Sequence, residues 1–224
     1  MAQAALIFGA TRGTGLETAR ALTGQGLPVT AAVRESSDTA ELDAIGAKTM
    51  TVDIFNTDSV KTTLETGVYD AVILSLSGKK GEEPRPDREG VKLIMDVARE
   101  CGVSRVLMVT AIGTGNSRPA VAPKVIEILG PVLEAKTIAE DYLIESGLDY
   151  TILRPGGLTD DPASGTAIRS EEHKSRGVAT RADVGRLVAE CLGDDSTIGQ
   201  IYHTIDPEIK WQPPLQRGED LPKK

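Results

Sequence analysis

Gly9, Gly13 and Gly15 follow an apolar run at the spacing Gly-x-x-x-Gly-x-Gly, with Thr11, Arg12 and Thr14 among the residues between them. Residues of these types in this order suit the holding of a diphosphate. Gly9 permits a tight exit from a strand, Gly13 lets backbone amides approach the anion, and Gly15 lets a helix pack closely on the sheet. The helix that starts here turns unpaired amides and the positive end of its dipole towards the phosphates. The stretch therefore reads as the dinucleotide-binding turn of a Rossmann unit. A second group stands at the end of the next strand, where Arg34 comes first and Glu35, Ser36 and Ser37 follow. A carboxylate at that place takes the 2′-hydroxyl of NAD, whereas a basic residue accommodates the 2′-phosphate of NADP. With Arg12 nearby, two guanidiniums favour NADP(H); Glu35 keeps NAD as the alternative. Asp53, just past a third strand, either accepts a hydrogen bond from the adenine amino group or begins a turn. Ser75 lies at the carboxyl end of a fourth strand, where ligands of open α/β sheets bind. Pro155, Gly156 and Gly157, after a sixth strand, border the place expected for the reacting ring. His173 is the one histidine near that place, read either as a proton donor or as an inert exposed imidazole.

These residues need a framework of alternating strands and helices, and the hydrophobic pattern supplies one. Strands are expected at Ala4–Phe8, Pro28–Val33, Lys48–Val52, Tyr69–Leu74, Arg105–Thr110, Asp149–Leu153 and Gln200–Ile205. Between them, Leu16, Ala19 and Leu22 mark a first helix, Thr39–Ile45 and Ser59–Glu65 two more, and Val91, Ile94, Met95 and Ala98 a fourth. The charged stretch Lys79–Arg88 reads as a solvated loop. A helix resuming near Lys124 is expected to break at Gly130-Pro131 and restart towards Ser146. Residues 158–179 read as a long irregular segment placed to cover a substrate pocket. Thr180-Arg181-Ala182-Asp183 is a capping box for a last helix through Leu192. The organisation expected is α/β: a single Rossmann-like domain over residues 1–206 with a doubly wound parallel sheet and a small substrate-covering segment at about 155–180. A proline-rich tail without periodicity follows over 207–224; it reads either as loosely held or as docked on the domain through Ile209, Trp211 and Leu215.

At 224 residues the chain suits one well-buried domain. Its net charge of -8 argues against nucleic acid and anionic membrane as partners. The first residues read as a strand and not as a signal peptide, and no run approaches the ~20 apolar residues of a membrane span. Cys101 and Cys191 read as reduced thiols of a cytoplasmic chain. No metal site is expected; the partner expected is a small-molecule substrate, bound by a monomer or homodimer.

Taken together, the turn Gly9-Ala10-Thr11-Arg12-Gly13-Thr14-Gly15, the pairs Val33-Arg34 and Val52-Asp53, the run from Ser146 to Gly156 and Thr180-Arg181-Ala182-Asp183-Val184 resemble an atypical short-chain dehydrogenase/reductase. More narrowly, the chain is similar to the NAD(P)H-binding group that includes biliverdin/flavin reductases and NmrA-like proteins, over roughly residues 3–205. The resemblance implies an NADP(H) site on the first half and a pocket beyond the fifth and sixth strands. It also implies that Lys136 reaches the nicotinamide ribose, against its plain reading as a solvated helix lysine. Many members of the superfamily reduce carbonyls with a Ser, a Tyr and a Lys, the last two spaced Tyr-x-x-x-Lys. Here Val132 stands four residues before Lys136, and the serine position is Ala111, preceded by Thr110. Tyr142 is no substitute, being turned about 240° from Lys136 around a helix. Thr110 and His173 remain as candidate proton donors.

Hydride delivery to a carbonyl leaves an alkoxide that needs an acid. A flavin, a quinone or another extended conjugated acceptor can take its proton from water, so positioning suffices. The reading is an NADPH-dependent oxidoreductase acting on such an acceptor without a tyrosine acid. The alternatives are a nonenzymatic NADP(H) sensor of NmrA-like type and a non-redox isomerase on the same fold.

Overall fold

Alternate side chains of the apolar run Ala5–Phe8, strand β1, divide between two cores: Ala5 and Ile7 face one, Leu6 and Phe8 the other. Burial on both faces is the signature of a central parallel strand. The computed structural model, which describes residues 4–79 and 81–210, places β1 inside an eight-stranded sheet.

The elements follow in chain order as α1 (Gly13–Gly24), β2 (Val29–Val33), α2 (Ala40–Ala44), β3 (Lys48–Thr51), α3 (Thr57–Thr66), β4 (Ala71–Leu74), α4 (Val91–Glu100), β5 (Arg105–Val109), α5 (Pro123–Glu145), β6 (Asp149–Pro155), β7 (Gly157–Thr159), β8 (Ile168–Ser170), β9 (Val178–Thr180), α6 (Arg181–Leu192) and β10 (Gln200–Ile205). The sheet order is β3-β2-β1-β4-β5-β6-β10-β8. Neighbours run parallel, except that β8 pairs antiparallel with β10. Helices α1 and α6 cover one face through Leu16, Ala19, Leu22, Val184, Leu187 and Val188. Helices α3, α4 and α5 cover the other through Val60, Leu64, Val91, Ile94, Met95, Ala98, Ala139 and Leu143. This is a single Rossmann-like domain with a doubly wound sheet, and its strand order reverses between β1 and β4, the crevice where such sheets bind ligands.

Three expectations about local structure are corrected. Residues 158–179 are irregular only in part: β7 and β9 form a parallel pair and β8 extends the edge of the main sheet, while 160–167 and 171–177 carry no regular structure. Helix α5 does not break at Gly130-Pro131 but runs through Pro131. The proline removes one backbone donor, and the carbonyl left over belongs to Glu127, an exposed residue open to solvent. The stretch 79–88 is not simply solvated, because Arg85 and Asp87 are buried as an ion pair at 3.0 Å. Pairing neutralises both charges locally, which is what allows them under the surface. Among the described residues no helix is long and apolar enough to cross a membrane. The tail positions Trp211 and Leu215 lie outside the described residues.

Helices α1 and α6 approach backbone to backbone at Gly185, where an added Cβ would stand 2.5 Å from the carbonyl carbon of Glu17. Gly185→Ala is expected to force the helices apart and cost about 2–3 kcal/mol, lowering the melting temperature by roughly 5–10 °C. Calorimetric melting of the variant checks this; an unchanged transition would show that the helices are free to shift.

Candidate functional site

A cleft of about 660 Å³ opens at the carboxyl ends of β1 and β4. Its floor is backbone. Gly9 has φ +90°, and a Cβ there would lie 2.4 Å from the Ser75 carbonyl oxygen; one on Gly15 would lie 2.1 Å from the Gly9 oxygen. Gly15 thus serves helix–strand packing, as expected, and is not itself among the residues lining the cleft. Gly13 has φ +58°, a left-handed conformation that lets α1 start immediately after the turn. Arg12 occupies the N-cap of α1 without a side-chain cap bond, and the first turn carries no acidic residue. The unpaired amides of that turn therefore face the cleft without competition from a side-chain oxygen. Helix α6, by contrast, is capped internally, since Asp183 N–H donates to the Thr180 hydroxyl. A backbone-floored cleft with an uncapped helix start fits the diphosphate of a dinucleotide.

Along the cleft, Gly9, Thr11, Arg12, Gly13 and Thr14 lie beside Val33, Val52 and Ile54, which offer apolar walls for an adenine. Arg34 and Ser37 line the same end. The Arg34 backbone N–H donates to Ser37 Oγ at 3.1 Å, fixing the turn that presents both side chains. Glu35 is exposed and is not among the lining residues. At the other end stand Ser75, Leu76, Ser77, Thr110 and Lys136.

Lys136 is buried, and its ammonium donates to the Leu76 carbonyl at 2.9 Å. The plain reading as a solvated helix lysine does not hold. Burial pushes its pKa down, against the neighbouring carboxylates of Asp87 and Glu140, which favour the charge. Tyr142 points away from this end: its hydroxyl donates to Asp96 at 2.6 Å and the Lys92 ammonium sits 4.5 Å from its ring centre.

Thr110 lines the cleft, but its hydroxyl proton is committed. It donates to Glu140 Oε1, as Thr114 does at 2.7 Å, while Arg154 donates to Oε1 at 3.0 Å through Nε and to Oε2 at 2.7 Å through Nη2. Arg154 Nη1 also donates to Asn116 Oδ1 at 2.6 Å. Neither Glu140 nor Arg154 figures among the site residues expected from sequence, although an arginine inside the apolar run Ile152-Leu153-Arg154-Pro155 signals a buried partner. His173 is not brought to the cleft. Its ring packs edge-on against His203 at 5.4 Å, its Nδ1 is buried without a partner, and burial together with the Arg154 charge pushes its pKa down.

Two further expectations are corrected. Asp53 does not line the cleft; its carboxylate accepts the Phe55 N–H at 3.0 Å and so begins a turn. Pro155 is buried in β6 opposite Thr204 of β10 and does not line the cleft either, because β6 runs two residues further than its apolar pattern suggests. Leu158 and Asp160, from the end of β7, border the cleft instead. The segment they open is hung on two buried carboxylates. Asp183 accepts from Ser164 N–H at 2.7 Å, Gly165 N–H at 3.0 Å and Thr180 Oγ1 at 2.8 Å, and Asp206 accepts from Thr166 Oγ1 at 3.0 Å and from Ser164 Oγ.

The bonds of Asp183 and those of the Glu140 network each carry expected outcomes. For Asp183, burial pushes the pKa up but the hydrogen bonds from Thr180, Ser164 and Gly165 outweigh it, and the net shift is downward. A depressed carboxyl stabilises above its unfolded pKa, near 4 as an approximate reference, and the contribution fades as pH falls through that value towards the folded one. Acidification through this range should release residues 164–166, read as faster amide exchange there after correction for the intrinsic rate; Asp183→Asn should reproduce part of the release at neutral pH. For the buried network, Glu140→Ala leaves Arg154 unpaired and should cost about 3–5 kcal/mol in urea unfolding. Thr110→Val should cost about 1.5–3 kcal/mol, with any turnover retained within roughly tenfold; loss of turnover without loss of stability would restore Thr110 as a proton donor.

Comparison with known proteins agrees with this geometry. The family described as NAD(P)H-binding matches residues 9–195. The chain is 30% identical over 178 residues, 78% of its own length and 80% of the relative's, to the uncharacterized sugar epimerase YhfK of Bacillus subtilis. Among solved structures it is similar to ChuY of Escherichia coli O157:H7, described as an anaerobillin reductase, with TM-score 0.84 and 30% identity over 94% of this chain and 100% of that one. A short-chain dehydrogenase/reductase of Veillonella parvula solved in complex with NADP shares the fold at TM-score 0.75 and 17% identity, covering 93% of this chain and 96% of its own. A protein with this sheet, this glycine-floored cleft and these relatives is an oxidoreductase-like Rossmann protein, and the chain belongs to the NAD(P)H-binding family.

Proposed function

We propose that the chain is an NADPH-dependent reductase of a conjugated small-molecule acceptor, such as a flavin or a quinone, that works without an enzymic phenol. The observation that carries the reading is the state of the groups at the reacting end. Lys136 is fixed on the Leu76 carbonyl, position 132 is a valine, the Thr110 hydroxyl is bound to Glu140, and Tyr142 is tied to Asp96. When bound, NADPH supplies a hydride. What the chain adds is placement: the glycine floor holds the diphosphate, Lys136 bonds the nicotinamide ribose, and Leu76, Val109 and Leu158 keep the ring end partly dry. An acceptor whose reduced form is protonated by water needs no more. The likeness to an anaerobillin reductase supports a reductase. The relative named a sugar epimerase favours a second reading, transient oxidation of a carbinol. Removal of a hydroxyl proton in that reaction needs a base, and the valine at 132 counts against it. The choice of NADPH over NADH is supported by Arg12, Arg34 and Ser37 lining one end of the cleft while Glu35 does not.

NADPH oxidation followed at the nicotinamide absorbance across flavins, quinones and simple aldehydes tests the proposal. Turnover with the conjugated acceptors and little with plain aldehydes is expected. Lys136→Ala should weaken NADPH binding while kcat at saturating cofactor stays within about tenfold, because the lysine tunes no acid. Brisk aldehyde reduction overturns the reading, and tight NADPH binding without turnover on any acceptor replaces it with a sensor.

A further inference from the structure

We infer that Arg181 is a ligand of the cofactor's diphosphate, held beforehand by Asp160 of the covering segment, so that cofactor binding exchanges one partner for the other. The inference deepens the cofactor reading above and rests on it.

The placement follows from two independent contacts. In the β7–β9 pair, Thr159 stands opposite Thr180. The next residue of each strand, Asp160 and Arg181, therefore leaves the pair side by side, and Arg181 Nη1 meets Asp160 Oδ1 at 2.7 Å. On its other side the Arg181 stem covers the glycine turn. Its Nε and Cδ lie 3.5 and 3.6 Å from where a Cβ on Gly13 would be. This neighbour is not set by a loop, since α6 is seated on α1 by the bare contact of Gly185 with the Glu17 backbone. Gly185 lies one turn beyond Arg181, and Glu17 one turn beyond Gly13, so the two helices start together. Arg181, Asp160, Gly13 and Thr14 all line the same cleft.

The present partner of Arg181 is weak. The Asp160 side chain is 87% exposed, and an exposed ion pair of this kind adds little because water and salt compete for both charges. A diphosphate over Gly13 carries more charge and offers a guanidinium two acceptors in fork geometry. Exchange favours the diphosphate and frees Asp160. Two arginines along the cleft thus differ by chemistry: Arg34 addresses a phosphate that only NADP carries, Arg181 one that NADP and NAD share.

Titration calorimetry with NADPH, NADH and 2′-AMP, which has the 2′-phosphate and no diphosphate, separates these roles. Arg181→Ala should weaken NADPH and NADH alike by about 10- to 100-fold and leave 2′-AMP unchanged within about twofold. Arg34→Ala should weaken NADPH and 2′-AMP and spare NADH. Arg181→Lys should recover part of the loss. Asp160→Asn should tighten both dinucleotides by about two- to fivefold, because the competing charge is gone. The inference is overturned if Arg181→Ala leaves both dinucleotide affinities intact, if it weakens 2′-AMP as much as NADPH, or if Asp160→Asn weakens binding as Arg181→Ala does. A wild-type protein that binds neither NADPH nor NADH overturns the cofactor reading itself.

Discussion

Backbone pressed against backbone at the ends of β1 and β4 is the constraint on which the rest of the structure depends. Gly9 lies against the Ser75 carbonyl and Gly15 against Gly9, each closer than any Cβ tolerates. Because no side chain fills this corner, the first turn of α1 comes down onto the crevice where the strand order reverses, and its amides are left to a ligand. The same economy repeats between α1 and α6 at Gly185. Helices α1 and α6 are thereby held in one relative position, which extends the geometry of the glycine turn to the last third of the chain.

The Lys136 end of the cleft is organised by a different device, a buried carboxylate that accepts four hydrogen bonds. Glu140 joins the end of β5 through Thr110, the following turn through Thr114 and the end of β6 through Arg154. Taking such a charge out of water is costly, and four donors are what offset the cost. The consequence reaches one helical turn back to Lys136, whose ammonium is held between the Leu76 carbonyl and the fields of Asp87 and Glu140. Residues that look reactive by type are here engaged with other protein groups. Thr110 is bound, and His173 sits beside His203 with its pKa lowered.

Much of this was legible in the residues, and what was not has identifiable physical causes. The central strands were legible because burial on both faces leaves apolar runs bounded by glycines, and the last helix because Thr180 and Asp183 stand at cap spacing. The covering segment was not, since β7, β8 and β9 have three residues each and show no period. Charge content misled at Arg85 and Asp87: composition says solvated, but the two pair under Gly78, whose absent Cβ would lie 2.8 Å from Asp87 Oδ1, and Arg85 Nη1 also donates to the Lys79 carbonyl at 3.1 Å. Asp53 shows the reverse ambiguity. A carboxylate after a strand serves a ligand or a turn equally well in sequence, and here one of its oxygens accepts the Phe55 amide.

The exposed part of the segment is held by directed bonds, while Leu158, Ala167 and Ala179 to either side of it pack into the core. Residues 160–166 are exposed, and the groups that hold them are Asp183 and Asp206, both buried. If the segment lifts, its donors pass into water, which replaces their bonds. The carboxylates are not left alone either: Asp183 keeps the Thr180 hydroxyl and the Arg186 guanidinium at 3.4 Å, and Asp206 keeps the Glu208 N–H at 2.8 Å. Opening therefore strands no unpaired buried charge, the circumstance that would make it prohibitive. A core strand has no such exit, because water cannot replace what Ile73 or Leu107 loses. The chain thus combines a rigid floor, fixed by glycine contacts that admit no adjustment, with a cover whose position is specific and whose release is inexpensive, and the boundary between the two runs through the adjacent pair Asp160 and Arg181.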